Sequence, residues 1–311
     1  MAELPHARGR LMAKNKNQHY VSAFYLYGFT SKEQRLASEG MPRRKTDIIH
    51  YSIPEGIIKE RPIEKVAIEP YLLSYPDGNG SMNHGMDEIV KDAEDNAARA
   101  IEEIGRIVDD SFRRKPRMVA IGSAIEEALL DFMYWQIIRN PALISETKKE
   151  FESFLASREL PTVDAKQLAL RVVGNFGDNG KCDIRAELRK KNKTILCISR
   201  DDAHFITTDK PFVRFNKTAG NGIAMPGTQI YFPITSRLLM YMNGNGNWRE
   251  FRPYNDRKQI RGLNAYIAQS AFRYIFGPSK PHLERVVASV DFLKRPAIPA
   301  DNFAAAVSRA L

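Results

Sequence analysis

Residues 228–242 carry two runs, Thr228-Gln229-Ile230-Tyr231-Phe232-Pro233 and Leu238-Leu239-Met240-Tyr241-Met242, with four residues between them. Aromatic and β-branched side chains favour extended backbone, and so short a connection joins antiparallel neighbours. The signature continues upstream, where Thr194 to Ser199, His204 to Thr207 and Phe212 to Phe215 read as strands and Arg200-Asp201-Asp202 as the turn joining the first two. Asn-Gly dipeptides at 179–180, 221–222, 243–244 and 245–246 each lie between candidate strands. Such dipeptides supply the positive φ that tight hairpins need. A mostly antiparallel, hairpin-built sheet is therefore predicted over about residues 176–255.

Outward from this sheet the period changes from two to 3.6. Between Asp87 and Asp109, Val90, Ala93, Ala97, Ile101, Ile104 and Val108 recur at spacings of three and four, with Ser81 or Asn83 available as a cap. A second helix, Val119 to Arg139, is apolar on most sides and stops before Pro141, because the residue preceding proline is pushed from helical geometry. Further helices are expected at Ser145–Ser157 and Val163–Val173, giving a helical part over about 80–175. Downstream, Ile260, Leu263, Ile267, Ala271, Tyr274 and Ile275 mark a closing helix from Ile260 to Phe276, followed by Leu283–Phe292 and Phe303–Leu311. His19 to Thr30 reads as a short buried aromatic helix, whereas prolines at 42, 54, 62, 70 and 76 leave residues 31–80 unordered by pattern. Within them, Ile48-Ile49, Ile57-Ile58 and Val66-Ala67-Ile68 are short apolar pieces suited to edge strands or extended passes. The reading is an α+β fold: an N-terminal and central helical layer on the sheet, closed by a C-terminal helix. It is taken as one domain, 18–311, after a flexible extension, 1–17, since Met12 would make an ordinary start.

Composition narrows the function classes. The hydrophobic fraction of 43% and charged fraction of 27% are those of a globular protein. Two cysteines, Cys182 and Cys197, are too few for a disulfide framework and lack zinc-site spacing. With no export signal or apolar run long enough to cross a bilayer, the expected location is the cytoplasm, away from the membrane. The 47 Lys and Arg against 37 Asp and Glu give a net charge of +10, which favours nucleic acid or another polyanion as partner. The basic clusters Arg43-Arg44-Lys45, Arg113-Arg114-Lys115 with Arg117, and Arg189-Lys190-Lys191 with Lys193 are either phosphate contacts or solvated surface.

Three polar spots lie against apolar sequence. His19, before an aromatic run, suits a base or metal ligand, or else a lock on a backbone carbonyl. Asp209, in Thr207-Thr208-Asp209-Lys210-Pro211, suits catalysis or metal binding, or else the shaping of its own turn. Among the helical carboxylates, which mostly suit a solvated face, Glu94 borders the apolar stripe. His19, Glu94 and Asp209 together would hold a divalent cation able to activate water against a phosphodiester. Asn264, mid-helix, is expected to bond either a loop backbone or a ligand. No Walker loop, nucleophile elbow or His-Glu-x-x-His motif occurs.

The run Gln18-His19-Tyr20-Val21 through Phe24-Tyr25-Leu26 and Phe29, then Phe205-Ile206-Thr207-Thr208-Asp209-Lys210-Pro211, Phe232-Pro233-Ile234, Leu263-Asn264 and Ala271-Phe272-Arg273-Tyr274-Ile275, resembles the bacterial and phage family called domain of unknown function 4238. The resemblance spans roughly His19 to Phe276, and His19 and Asp209 match the family's motif positions. Ser22 stands where that family usually has proline, and Lys210 where it has Asn, so a cation adjoins Asp209. The leading functional expectation is a hydrolase acting on nucleic acid or another phosphate-containing substrate. It assigns His19 and Asp209 to catalysis, Lys210, Asn264 and Arg273 to substrate binding, and His19, Glu94 and Asp209 to a metal. The rival readings are a non-catalytic nucleic-acid-binding or regulatory protein that uses the basic clusters, and a structural partner in an assembly.

Overall fold

The computed structural model describes residues 17–76, 81–114, 121–158, 167, 169, 170, 184–216, 222–225, 227–246, 249–290 and 292. The extension up to residue 16, the helix expected around 163–173 apart from three positions, Asn179-Gly180, Cys182, the side chains of Arg113 to Arg117 and the tail with Phe303–Leu311 lie outside them. In chain order the elements are β1 (Asn17–His19), α1 (Ala23–Tyr27), α2 (Lys32–Ala37), β2 (Asp47–Ser52), β3 (Ile57–Pro62), β4 (Ile68–Pro70), β5 (Tyr75–Pro76), β6 (Met82–Asn83), α3 (Gly85–Arg114), α4 (Ser123–Ile138), α5 (Pro141–Ser157) and α6 (Ile184–Arg189). There follow β7 (Asn192–Cys197), β8 (Thr207–Thr208), β9 (Val213–Phe215), β10 (Gln229–Thr235), β11 (Leu238–Asn243), β12 (Arg249–Pro253), α7 (Arg257–Gln269), β13 (Tyr274–Gly277) and α8 (Lys280–Ala288). The fold is α+β with mostly antiparallel sheets. Among the described residues no helix is long and apolar enough to cross a membrane.

The two runs quoted first form the β10–β11 hairpin, with Tyr231 opposite Tyr241 and Phe232 opposite Met240. They belong to a five-stranded sheet of order β12-β7-β11-β10-β9. Its departure from the expected pattern is at Asn243-Gly244-Asn245-Gly246, which does not close a hairpin. β7 pairs antiparallel with β11 on one side and parallel with β12 on the other, so the chain must cross the end of β7. Gly244, at φ 51°, allows the turn, and the Gly246 amide bonds the Lys190 carbonyl at 2.7 Å.

Both faces of this sheet are covered. Ile195, Ile230, Phe232, Met240 and Met242 join Leu129, Phe132 and Met133 of α4 in one buried cluster, while Leu196 and Leu239 join Ile260 and Ile267 of α7 in another. Phe132 packs on Phe24 at 5.1 Å, Tyr25 at 5.6 Å and Phe232 at 6.0 Å, binding α1, α4 and β10 together. The periodic stripe of α3 is the buried one, with Val90, Ala93, Ala97 and Ile104 inside. α5 begins at Pro141 rather than Ser145. The Asn140-Pro141 pair that ends α4 also starts the next helix, Asn140 Oδ1 accepting from the Ala142 amide at 2.9 Å.

Residues 31–80 supply most of a second sheet, of order β3-β2-β13-β8. The apolar pieces at 48–49 and 57–58 are thus paired strands, with Ile49 opposite Glu60. The opening aromatic segment is a strand followed by one helical turn rather than a continuous helix, since Gln18 pairs with Glu69 of β4. Residues 203–206 are not strand: the Phe205 amide bonds the Ser236 carbonyl and the Ile206 amide bonds Asn264, leaving only Thr207 and Thr208 for the ladder. The closing helix also stops early, at Gln269, and Tyr274 and Ile275 lie in β13 between β2 and β8. Gly277 then lets α8 approach, because a Cβ there would meet Leu283 Cδ2 at 2.8 Å.

α7 and α8 meet over an imidazole pair. His204 and His282 lie edge to face with centroids 6.0 Å apart, and the Asn264 amide reaches His282 Nε2 at 3.4 Å. Burial, with His204 adding to it, pushes the His282 pKa down to about 4. The folded state therefore binds fewer protons than the unfolded chain between about pH 4 and the ordinary histidine value near 6.5. Its contribution to stability is complete above that window and is lost as pH falls through it. Urea titrations of His282→Gln against the parent between pH 4 and 7 should show a shallower acid loss in the variant; parallel profiles would refute the assignment.

Candidate functional site

The opening segment is held by a polar cluster. His19 Nε2 lies 3.1 Å from the Ile63 carbonyl, and burial lowers its pKa with that carbonyl opposing. Ser22, just before α1, donates its hydroxyl to Glu94 of α3 and accepts from Arg139 at the end of α4 and from Gln136 Nε2 at 3.2 Å. Arg139 also pairs with Glu94; the arginine side chain is 1% exposed and the glutamate 24%. Glu94 thus turns inward, where its charge compensates a buried guanidinium. Gln136 and Arg139 carry no sequence motif. Their signal is two polar residues at i, i+3 that close the apolar run Phe132 to Ile138 at the end of α4.

Asp209 is fully engaged with main chain. Its two carboxylate oxygens accept from the Phe272 amide at 2.7 Å and the Arg273 amide at 2.6 Å, and its own amide donates to the Tyr274 carbonyl. Burial nevertheless outweighs these donors and pushes its pKa up to about 6. Asn264 is likewise divided between two backbone groups, accepting from Ile206 and donating to the His204 carbonyl at 2.8 Å. Arg273 reaches Glu69 at 3.6 Å, and the Lys210 amide bonds the Thr208 hydroxyl. His19 and Glu94 share the surroundings of Arg139, whereas Asp209 acts on the neighbouring Tyr20. Among the described residues no group of three His, Cys, Asp or Glu is placed to hold a metal ion, so His19, Glu94 and Asp209 do not meet as one ligand set.

A separate cleft of about 470 Å³ opens where α7 leaves the five-stranded sheet partly uncovered. Its lining comes from six elements and one loop, including Phe215, Tyr231, Tyr241, Arg252, Tyr254 and Tyr266. Tyr231 and Tyr241 stack at 5.2 Å on the sheet, and Tyr266 of α7 meets Tyr231 edge to face at 6.0 Å. Gln229 and Gln259 add amides, and among the described residues no carboxylate lines the cleft. Glu250, on the same strand face as Arg252, is buried and accepts from Thr194 at 3.5 Å. Among the described residues the Arg252 guanidinium has no ion pair or hydrogen bond, in contrast to Arg43 with Glu102, Arg189 with Glu127 and Lys190 with Glu187. Lys191 and Lys193, from the same basic run, are buried against carbonyls. The period-two alternation of Gln229 and Tyr231 against Ile230 and Phe232 was the sequence signal for this face.

A family model described as protein of unknown function (DUF4238) matches residues 17–281. The chain belongs to this family. No curated protein and no solved structure matches it. In this DUF4238 chain the matched segment runs from β1 into α8, so it includes the Ser22–Glu94–Arg139 cluster, Asp209 and every residue lining the cleft.

Removing one member of the buried ion pair leaves the other uncompensated. Glu94→Ala should lower stability by roughly 3 kcal/mol, and the double variant Glu94→Leu/Arg139→Met should regain much of that loss. Chemical denaturation measures both; an unchanged midpoint for Glu94→Ala would show that the pair does not hold the opening segment.

Proposed function

We propose that this protein binds nucleic acid, with the tyrosine-walled cleft as its contact site. The observation that carries this reading is Arg252, without an ion pair or a lining carboxylate among the described residues, in a cleft with aromatic walls. An exposed cation without an internal partner is free for a phosphate, and the net charge of +10 attracts a polyanion over longer range. The basic clusters carry less of this reading than Arg252 does, because Arg43, Arg44, Arg189 and Lys190 already face carboxylates.

The hydrolytic reading asks His19 and Asp209 to act on a substrate. Asp209 would have to leave the Phe272 and Arg273 amides, while His19, whose Nε2 faces the Ile63 carbonyl, would act through Nδ1 alone. Binding through Arg252 requires no such rearrangement.

Fluorescence anisotropy with labelled DNA and RNA oligonucleotides tests the proposal. Binding should weaken with salt, and Arg252→Ala should reduce the magnitude of the slope of log Kobs against log salt by about 0.7, one phosphate contact on a single strand. No binding at low salt, or an Arg252→Ala protein indistinguishable from the parent, would remove the support for this function.

A further inference from the structure

Resting on the nucleic-acid reading, we infer that the cleft receives one unpaired base of a single strand, laid against Tyr231 and Tyr241 in the space above Gly262, with Arg252 on the adjoining phosphate. The Tyr231–Tyr241 pair is stacked, with centroids 5.2 Å apart and planes at 28°, so the sheet side offers a base the outer face of a pre-formed aromatic stack. Tyr266 and Tyr254 stand as the opposite wall, Tyr266 braced edge to face by Phe215 at 5.6 Å and Tyr254 stacked on Phe205 at 6.3 Å. Those supports fix the wall rings before a ligand arrives, which limits the ordering cost of binding. Every base offers a π-face to such rings, so stacking does not demand one sequence.

Gly262 is the second, independent observation. It lies within α7, where glycine destabilises a helix by about 1 kcal/mol relative to alanine. A methyl group placed there would meet no atom within 4 Å, so packing inside the protein does not require the glycine. What its bare backbone provides is the opening of the cleft it lines. One turn earlier, the Gln259 side-chain amide has no hydrogen bond among the described residues, and it offers a donor and an acceptor to a base edge. The volume of about 470 Å³ lies in the range of small-ligand pockets, about 300–1,000 Å³, which suits one nucleotide and not a duplex.

The test compares a labelled thymidine 12-mer with an abasic strand of the same length and charge, together with the corresponding duplex and uridine monophosphate alone. The parent should bind the base-bearing strand about tenfold or more tightly than the abasic strand, and more tightly than the duplex. Gly262→Leu, which places a side chain in the cleft, and Tyr231→Ala should each bring the base-bearing strand down to the affinity of the abasic strand, and retention of the parent's preference in both variants overturns the inference. Equal binding of base-bearing and abasic strands by the parent overturns the base pocket and leaves the nucleic-acid reading standing. Failure of both strands to bind overturns that reading as well. Saturable binding of uridine monophosphate without binding of any strand overturns the inference in favour of a free nucleotide.

Discussion

The five-stranded sheet is buried on both faces, and the rest of the molecule is arranged around that constraint. β7 is paired on each edge and packs on one side against the cluster containing Phe132 and on the other against Ile260 and Ile267 of α7. Each fully buried apolar side chain of this kind contributes about 1.5–3 kcal/mol relative to exposure. α4 therefore cannot leave one face, nor α7 the other, without exposing a continuous apolar layer. The cleft is a by-product of unequal coverage. α7 packs on Leu239 of β11, and the cleft left beside it is lined from all five strands, from Arg252 of β12 through Leu196 of β7 to Phe215 of β9.

The polar residues embedded in apolar sequence turn out to complete the fold's own hydrogen bonding. Asp209 stops α7 from continuing by taking the Phe272 and Arg273 amides, and Asn264 satisfies two backbone groups of the 203–206 loop. Buried donors and acceptors left unmade cost more than a made bond gains, so such positions are filled by residues that can satisfy their neighbours. Glu94 and Arg139 follow the same rule with charge, and Ser22 supplies the third partner. The groups left uncommitted are instead on a half-covered surface, where water satisfies them until a ligand does.

Charge is distributed by the same logic. A formal +10 does not mean that the visible basic runs are available. Arg43 and Arg189 face glutamates from distant helices, and Lys193 is buried beside Glu126 at 3.0 Å. Arg252 has only its sequence neighbours to advertise it, yet it is the cation that the cleft leaves unpaired.

The sequence by itself determined the helices α3 and α4, the strands around 194–199, 228–233 and 238–242, and hence the α+β class, because each rests on a local period or a breaker such as Asn140-Pro141. It also showed that Glu94 borders the buried stripe. Tertiary structure alone decided which strands pair: β12 lies parallel to β7, on the far side from β11, although the Asn-Gly turn between β11 and β12 reads as a hairpin. It decided too that Tyr274 and Ile275 form a strand, since the carboxylate that intercepts the preceding amides comes from more than sixty residues earlier. Local periodicity records how one segment alternates between core and solvent. It does not record which distant donor, charge or ring will meet it, and both the Ser22–Glu94–Arg139 cluster and the tyrosine cleft are made of such meetings.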